Sequence, residues 1–323
     1  MPIRTTLCDV LGIEHPVLLA PMAGVSGGQL AAAVSHAGGL GQIGGGYGDA
    51  GWIEQEIASA GNARFGIGFI TWSLARQPQL LDLALEHAPA SVMLSFGDIG
   101  PFVDRIRQTS AKLLVQVQTL QQARGALAFG VDVIVAQGTE AGGHGGARST
   151  LPLVTAVVDV AGNVPVVAAG GIADGRGLAA ALTLGAAGVL CGTAFYASRE
   201  ALAHENAKSA ALSHTGDNTV RGSAYDIIRG KDWPADWDLR TLRNTFTEQW
   251  SDDPDGLRRD ITQETVRFEK ASAKGDTDVS AVIVGEGIDL VHSSEPAAEI
   301  VSRLVSEAEQ SLARATSFVV QEG

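Results

Sequence analysis

Val131-Asp-Val-Ile-Val-Ala-Gln-Gly-Thr-Glu-Ala-Gly-Gly-His144-Gly-Gly146 runs from a short β-branched apolar segment straight into a glycine-rich loop that holds one histidine. Val131, Val133, Ile134, Val135 and Ala136 suit a strand covered on both faces, where neither side needs polar residues. Gly142, Gly143, Gly145 and Gly146 surround His144 with residues that lack a Cβ, so the backbone can take positive φ and approach a ligand closely. Such a loop loses more conformational entropy on folding than other sequence, and packing alone does not require it. A flat cofactor or substrate lying against backbone accounts for it; the competing reading is a surface turn with an incidental histidine.

Short apolar runs of the same kind recur along the chain. They are Val17 to Ala20, Leu40 to Ile43, Phe65 to Phe69, Ser91 to Ser95, Lys112 to Val117, Val131 to Ala136, Val164 to Ala168 and Ala187 to Leu190. Between them lie helix-compatible stretches such as Gly28 to His36, Gln79 to His87, Leu120 to Phe129 and Gly177 to Leu184. Regular strand–helix alternation implies a parallel sheet with crossover helices, and eight units in roughly 200 residues fit an α/β fold of the (β/α)8 TIM-barrel type. A doubly wound sheet is the alternative. It fits less well because glycine-rich loops follow the first, sixth, seventh and eighth strands, whereas a dinucleotide fold concentrates its signature after one strand.

Past Arg199 the rhythm changes. From Asn206 to Val291 strand alternation gives way to apolar anchors at helix-like intervals, among them Leu242, Phe246, Ile261 and Phe268. A smaller, mainly helical domain inserted near the C-terminus is expected there, covering the barrel mouth. Glu295 to Arg314 reads as a long helix with Pro296 in its first turn and Ile300, Leu304, Val305 and Leu312 as its buried stripe. The expected division is therefore 1–205 for the barrel, 206–291 for the substrate-covering subdomain and 292–323 for the helix that returns to the barrel.

A formal net charge of −13 argues against nucleic acid or an anionic membrane as partner, since both need clustered Lys and Arg. Cys8 and Cys191, the two cysteines, show no metal-ligand or disulfide-framework spacing, so no metal site is expected. Neither a signal-peptide core nor an apolar run of membrane-span length is present, which points to a cytoplasmic location.

The seventh strand leads into Ala168-Ala-Gly170-Gly171-Ile-Ala-Asp-Gly-Arg-Gly177 and the eighth into Leu190-Cys-Gly192-Thr193-Ala-Phe195. In barrels a phosphate often sits where these two loops meet. Gly170, Gly171, Gly192 and Thr193 can offer backbone N–H groups without obstruction, and Thr193 adds a hydroxyl. After the first strand, Pro21, Met22 and Ala23 reach the same mouth and can edge a planar ring. Flavin mononucleotide (FMN) satisfies all these loops together, its phosphate at strands seven and eight and its ring toward strands one and six. Gln116 and Gln137, at the ends of strands five and six, either bond the flavin or satisfy neighbouring backbone. Gly138, Gly142 and Gly143 of the His144 loop complete the set of candidate cofactor-binding positions. Tyr47, Trp72 and Tyr225 are candidate pocket walls, and no role is expected of the other six histidines.

Jointly, Ala20-Pro-Met-Ala-Gly24, Ala37-Gly-Gly-Leu-Gly41, Ala136-Gln-Gly-Thr-Glu-Ala-Gly-Gly-His-Gly-Gly146, Ala169-Gly-Gly-Ile-Ala-Asp-Gly-Arg-Gly177 and Gly192-Thr-Ala-Phe195 resemble the nitronate monooxygenases, formerly called 2-nitropropane dioxygenases. Arg243-Asn244 and Gly275-Asp-Thr-Asp278 resemble segments of that family's smaller domain. The resemblance implies non-covalent FMN, a catalytic His144, phosphate contacts at Gly171, Gly192 and Thr193, and a flavin lined by Pro21, Met22, Ala23, Gln116 and Gln137. It implies oxidation of an alkyl nitronate by molecular oxygen to a carbonyl compound and nitrite. Quinone reductases using reduced nicotinamide share similar flavin barrels, and a non-catalytic flavin-binding protein is a further alternative. The sequence departs from the family pattern at Gly68, where many members have asparagine, at Gln116, where some have lysine, and at Gln137, where some have aspartate. A neutral glutamine stabilises an anionic reduced ring less than lysine would.

Overall fold

In the computed structural model, which describes residues 2–318, eight parallel strands close into a barrel. They are Val17–Leu19, Gln42–Gly44, Gly66–Ile70, Ser91–Ser95, Lys112–Val117, Val133–Gln137, Val166–Ala169 and Gly188–Cys191. The second to eighth strands pair in chain order, the first pairs with the eighth, and an isolated parallel bridge between Leu18 and Leu40 closes the ring between the first strand and the second. Six of the eight expected strands are shifted by one or two residues at one or both ends, the fourth and fifth match at both, and Leu40 contributes this bridge from outside its strand. Met1 and residues 319–323, the outer ends of the first and last expected segments, lie outside the described residues.

Side chains alternate across each strand, so one barrel strand serves two cores. Leu18, Met93, Leu114, Val133, Val135 and Val167 fill the interior, whereas Val17, Leu19, Val92, Leu94, Ile134 and Val166 face the surrounding helices. A helix absent from the sequence expectation, Thr6–Leu11, plugs the lower end of the barrel with Leu7 and Leu11, both fully buried. Each such leucine contributes roughly 2 kcal/mol of hydrophobic stabilisation.

The outer helices start on local signals. Thr119 and Gln122 form a capping box for Leu120–Ala128, and Asp174 caps Gly175–Thr183 by accepting from Gly177 N–H at 3.0 Å. The last helix, Ala297–Thr316, lays Ile300, Leu304, Val305 and Ala308 against the outer ring, packing chiefly on Gly175–Thr183. Those two helices cross so closely that a Cβ on Gly175 would meet Ala308 N at 2.4 Å.

Over the mouth sits a mainly helical cap. Its helices Ala224–Ile228, Thr245–Trp250, Pro254–Arg259 and Ile261–Lys274 enclose a core that includes Tyr225, Phe246, Trp250 and Leu257. Two strands, Thr219–Gly222 and Asp238–Leu242, interrupt the helices that the sequence points to. A third strand, Gly143–Gly145, comes from the histidine loop and pairs antiparallel with the second, bringing His144 opposite Leu239. The loop after the sixth barrel strand is thus an edge of the cap sheet. Among the described residues, no helix is long and apolar enough to cross a membrane.

Candidate active site

The C-terminal ends of all eight strands border one cavity of about 530 Å³. Ala20, Gly45, Ile70, Phe96, Gln116, Gln137, Gly170 and Gly192 each mark one strand end, and Arg229, Lys231, Trp233 and Leu239 close it from the cap. Of the expected positions, Pro21, Met22, Ala23, Gln116, Gln137, Gly142, Gly143, His144, Gly170, Gly171, Gly192 and Thr193 all line it. Gly138 does not. A Cβ there would lie 2.0 Å from Thr150 Oγ1, so its smallness lets the sixth strand's end pack against the start of helix Thr150–Ala161.

At one end, Gly171, Gly192 and Thr193 present backbone N–H groups that meet no acceptor among the described residues. Gly171 takes φ 71, a conformation that side chains disfavour. Thr193 Oγ1 accepts from Gly285 N–H at 2.9 Å, which leaves the hydroxyl proton free to donate. A Cβ on Gly192 would approach Met22 Sδ to 3.3 Å, so the eighth-strand loop and the first-strand loop share one narrow space. Pro21 packs so tightly on the third strand that a Cβ on Gly68 would meet its Cγ at 2.3 Å; the proline ring occupies the room that an asparagine at position 68 would need.

Gln137 turns out to join three elements. Its Oε1 accepts from Gln116 Nε2 at 3.0 Å and from Gln118 Nε2 at 2.9 Å, while its Nε2 donates to the carbonyl of His144 at 3.1 Å. Satisfaction of neighbouring groups is therefore one role of Gln137, alongside its place on the cavity wall. Arg221 and Arg240 grip the same loop from the cap sheet, both donating to the carbonyl of Thr139. Burial and the neighbouring Arg240 guanidinium pull the Arg221 pKa down to about 10.

His144 is buried, and its Nε2 lies 2.9 and 3.1 Å from the two carboxylate oxygens of Asp226. No hydrogen-bond partner among the described residues meets its Nδ1. Trp233 stacks on the imidazole at 3.4 Å with 9° between planes, and Phe96 approaches edge-on. Burial pushes the His144 pKa below 6.5; the Asp226 hydrogen bond and charge oppose that, and the Arg229 and Arg221 charges reinforce it. Burial thus favours the neutral imidazole. Arg229 stands 3.8 Å from Asp226, with a buried Nη2 that has no hydrogen-bond acceptor among the described residues.

Asp226, Trp233, Arg229 and Phe96 are the site residues that sequence reasoning misses. Phe96 takes φ 64, rare for a bulky residue, immediately after the fourth strand. Its neighbour Gly97 is the one local signal of an unusual backbone there. Of the candidate walls, Tyr47 lines the cavity and accepts from Trp233 Nε1 at 3.0 Å, and Trp72 stands behind it at 6.2 Å between ring centroids. Tyr225 belongs to the cap core, stacked on Phe246.

The sequence profile described as nitronate monooxygenase matches residues 4–64 and 70–307. The chain belongs to the nitronate monooxygenase family. Relatives include a nitronate monooxygenase of Paraburkholderia phytofirmans, 32% identical over 98% of each chain. Another, nitronate monooxygenase npaC of Metarhizium robertsii, is 36% identical over 88% of each. Among solved structures, FabK from Thermotoga maritima superposes with a TM-score of 0.87 at 30% identity, covering 98% of this chain and all of that one. A nitroalkane oxidase from Streptomyces ansochromogenes gives 0.77 at 27% identity, with the same coverage. As a member of this family the chain is an oxidoreductase acting on a small molecule.

Proposed function

We propose that the protein binds FMN in the barrel mouth and oxidises alkyl nitronates with molecular oxygen to a carbonyl compound and nitrite. Family membership supports the reaction class, and the observation that carries the reading here is His144 on the wall of the same cavity as the N–H groups of Gly171, Gly192 and Thr193, which meet no acceptor among the described residues. Those three N–H groups, with the Thr193 hydroxyl, fit a terminal phosphate. Pro21, Met22 and Ala23 fit the edge of the ring, and Gln116, whose Oε1 has no partner among the described residues, fits a ring or ribityl donor. FMN held by these residues would supply the electron acceptor for the nitronate and the electron donor to oxygen.

The chain's own residues supply the rest. His144 in its neutral form takes a proton from a neutral nitroalkane, which must lose its C–H proton before it can be oxidised. Trp233, Phe96 and Tyr47 exclude water from the imidazole, and residues 206–291 act as the cover. Purified protein should be yellow, should release FMN and not FAD on denaturation, and should consume oxygen and form nitrite with an alkyl nitronate. No flavin after reconstitution, or no turnover of any nitronate, would refute the reading.

A second reading, reduction of a quinone by NADH or NADPH, is favoured by one feature. Arg229 and Lys231 bring two cations to the cap side of the cavity, where a phosphate-bearing reductant would pass. Anaerobic mixing with nitronate, NADH and NADPH separately, followed by flavin absorbance, distinguishes the two: bleaching by reduced nicotinamide alone selects the reductase.

A further inference from the structure

We infer that Asp226 is a positioning residue that fixes His144 in its Nε2–H tautomer and so makes Nδ1 the proton-accepting atom. The inference rests on the reading of His144 as the proton-transfer group. Asp226 is 3% exposed, and His144 is its side chain's sole hydrogen-bond partner among the described residues, across 82 residues of sequence. Burying a carboxylate is costly unless it is paired and hydrogen-bonded. Arg229 at 3.8 Å offers charge without a hydrogen bond, so the imidazole N–H is what holds the carboxylate in place.

The consequence follows from the chemistry of imidazole. A neutral ring carries one N–H and one lone pair, and an ionised carboxylate at 2.9 Å accepts only, so the proton sits on Nε2 and the lone pair on Nδ1. His144 is held on its other sides as well. Gln137 fixes its carbonyl, Leu239 pairs with its backbone, and Trp233 covers one ring face. The ring cannot readily turn to exchange its nitrogens. Once Nδ1 takes a proton, the imidazolium faces Asp226, which stabilises it, and Arg229 and Arg221, which oppose it. The neighbouring barrel groups Gln116 and Gln137 are neutral, and Lys231 lies over the Tyr47 ring at 4.4 Å.

The test uses the FMN-loaded protein labelled with 15N-histidine. His144 signals are assigned by their loss in His144→Asn, and one-bond and two-bond 1H–15N correlations report the tautomer without any substrate. The wild type is expected to show Nε2–H alone at pH 7.5. Asp226→Leu, which removes the acceptor, should give a mixture of tautomers. Asp226→Asn, which keeps the shape and drops the charge, should lower the histidine pKa further, because burial, Arg229 and Arg221 remain while the opposing charge is gone. In that variant kcat on a neutral nitroalkane should fall by about 10²- to 10⁴-fold with KM little changed, and the acid limb of kcat should move to lower pH. Far-UV circular dichroism and FMN content check folding; if Asp226→Leu does not fold, Asp226→Asn carries the test. An Nδ1–H tautomer in the wild type, or wild-type tautomer and pKa in the folded Asp226 variants, overturns the inference. Failure of the wild type to turn over any nitro compound refutes the functional reading instead, and the tautomer measurement still decides on Asp226.

Discussion

Trp233 lies face to face on His144, 3.4 Å between ring centroids, and donates from its indole nitrogen to the hydroxyl of Tyr47. The cap thereby touches the His144 imidazole and the barrel loop after the second strand with one side chain. Because burial is the largest cause of the lowered His144 pKa, this stack helps set the pH range in which the imidazole is a free base.

Trp233→Ala should let water reach the ring and return its pKa toward 6.5. His144 accepts a proton only when neutral, so activity on a neutral nitroalkane falls as pH drops through that pKa. The wild-type fall should lie below pH 6.5, and the variant's should lie at higher pH than the wild type's. A pH profile of kcat/KM shows this directly, and an unmoved acid limb would mean that Trp233 does not control solvation of the base.

The proposed phosphate grip gives a test that needs no turnover. Gly171→Asp puts a Cβ at φ 71 and a carboxylate beside N–H groups offered to an anion; Gly192→Asp adds the same charge and closes on Met22. Each should abolish FMN retention, read as flavin absorbance per protein after gel filtration. Full FMN content in both variants would place the phosphate elsewhere.

The barrel is legible in sequence because its strands are buried on both faces and its loops need glycine, two features that composition alone exposes at Val131 to Gly146. Other elements leave no such mark. Thr6–Leu11 is too short for a helical period to declare itself, and only the barrel's open lower end explains its buried leucines. The cap strands carry Arg221 and Arg240, charged because they reach the Thr139 carbonyl, so neither strand alternates as a half-buried strand would. Gly143–Gly145 has weak β-propensity and forms a strand only because Asp238–Leu242 lies beside it. Asp226, in the run Ala224-Tyr-Asp-Ile-Ile228, reads as one polar residue on a helix, and its meaning depends on a histidine far away in the chain.

Asn244 links cap stability to the site. It caps Thr245–Trp250 by accepting from Thr247 N–H, and its Nδ2 donates to Thr277 O and Ser280 O and meets the hydroxyl of Tyr225, the residue preceding Asp226. Asn244→Ala removes the cap and leaves these acceptors without their donor, which should destabilise by about 2 kcal/mol. Urea unfolding followed by Trp fluorescence should show a lower midpoint; an unchanged midpoint would mean that water replaces the amide at no cost.

The decisive prediction concerns His144 itself. A neutral nitroalkane must surrender a C–H proton, whereas a preformed nitronate already has, so a base on the cavity wall matters to the first substrate and much less to the second. His144→Asn removes the proton-accepting nitrogen but leaves an amide that can still donate to Asp226, so the buried carboxylate keeps a partner. FMN should stay bound, because the phosphate loops are untouched. Activity on any neutral nitroalkane that the wild type accepts should fall by about 10²- to 10⁴-fold, the usual contribution of a positioned acid–base group, while activity on the matching nitronate should fall far less. Steady-state oxygen consumption with both substrates at one pH gives the ratio. Equal losses would assign His144 to positioning or charge stabilisation, and no loss on either would leave it a structural residue of the cap sheet.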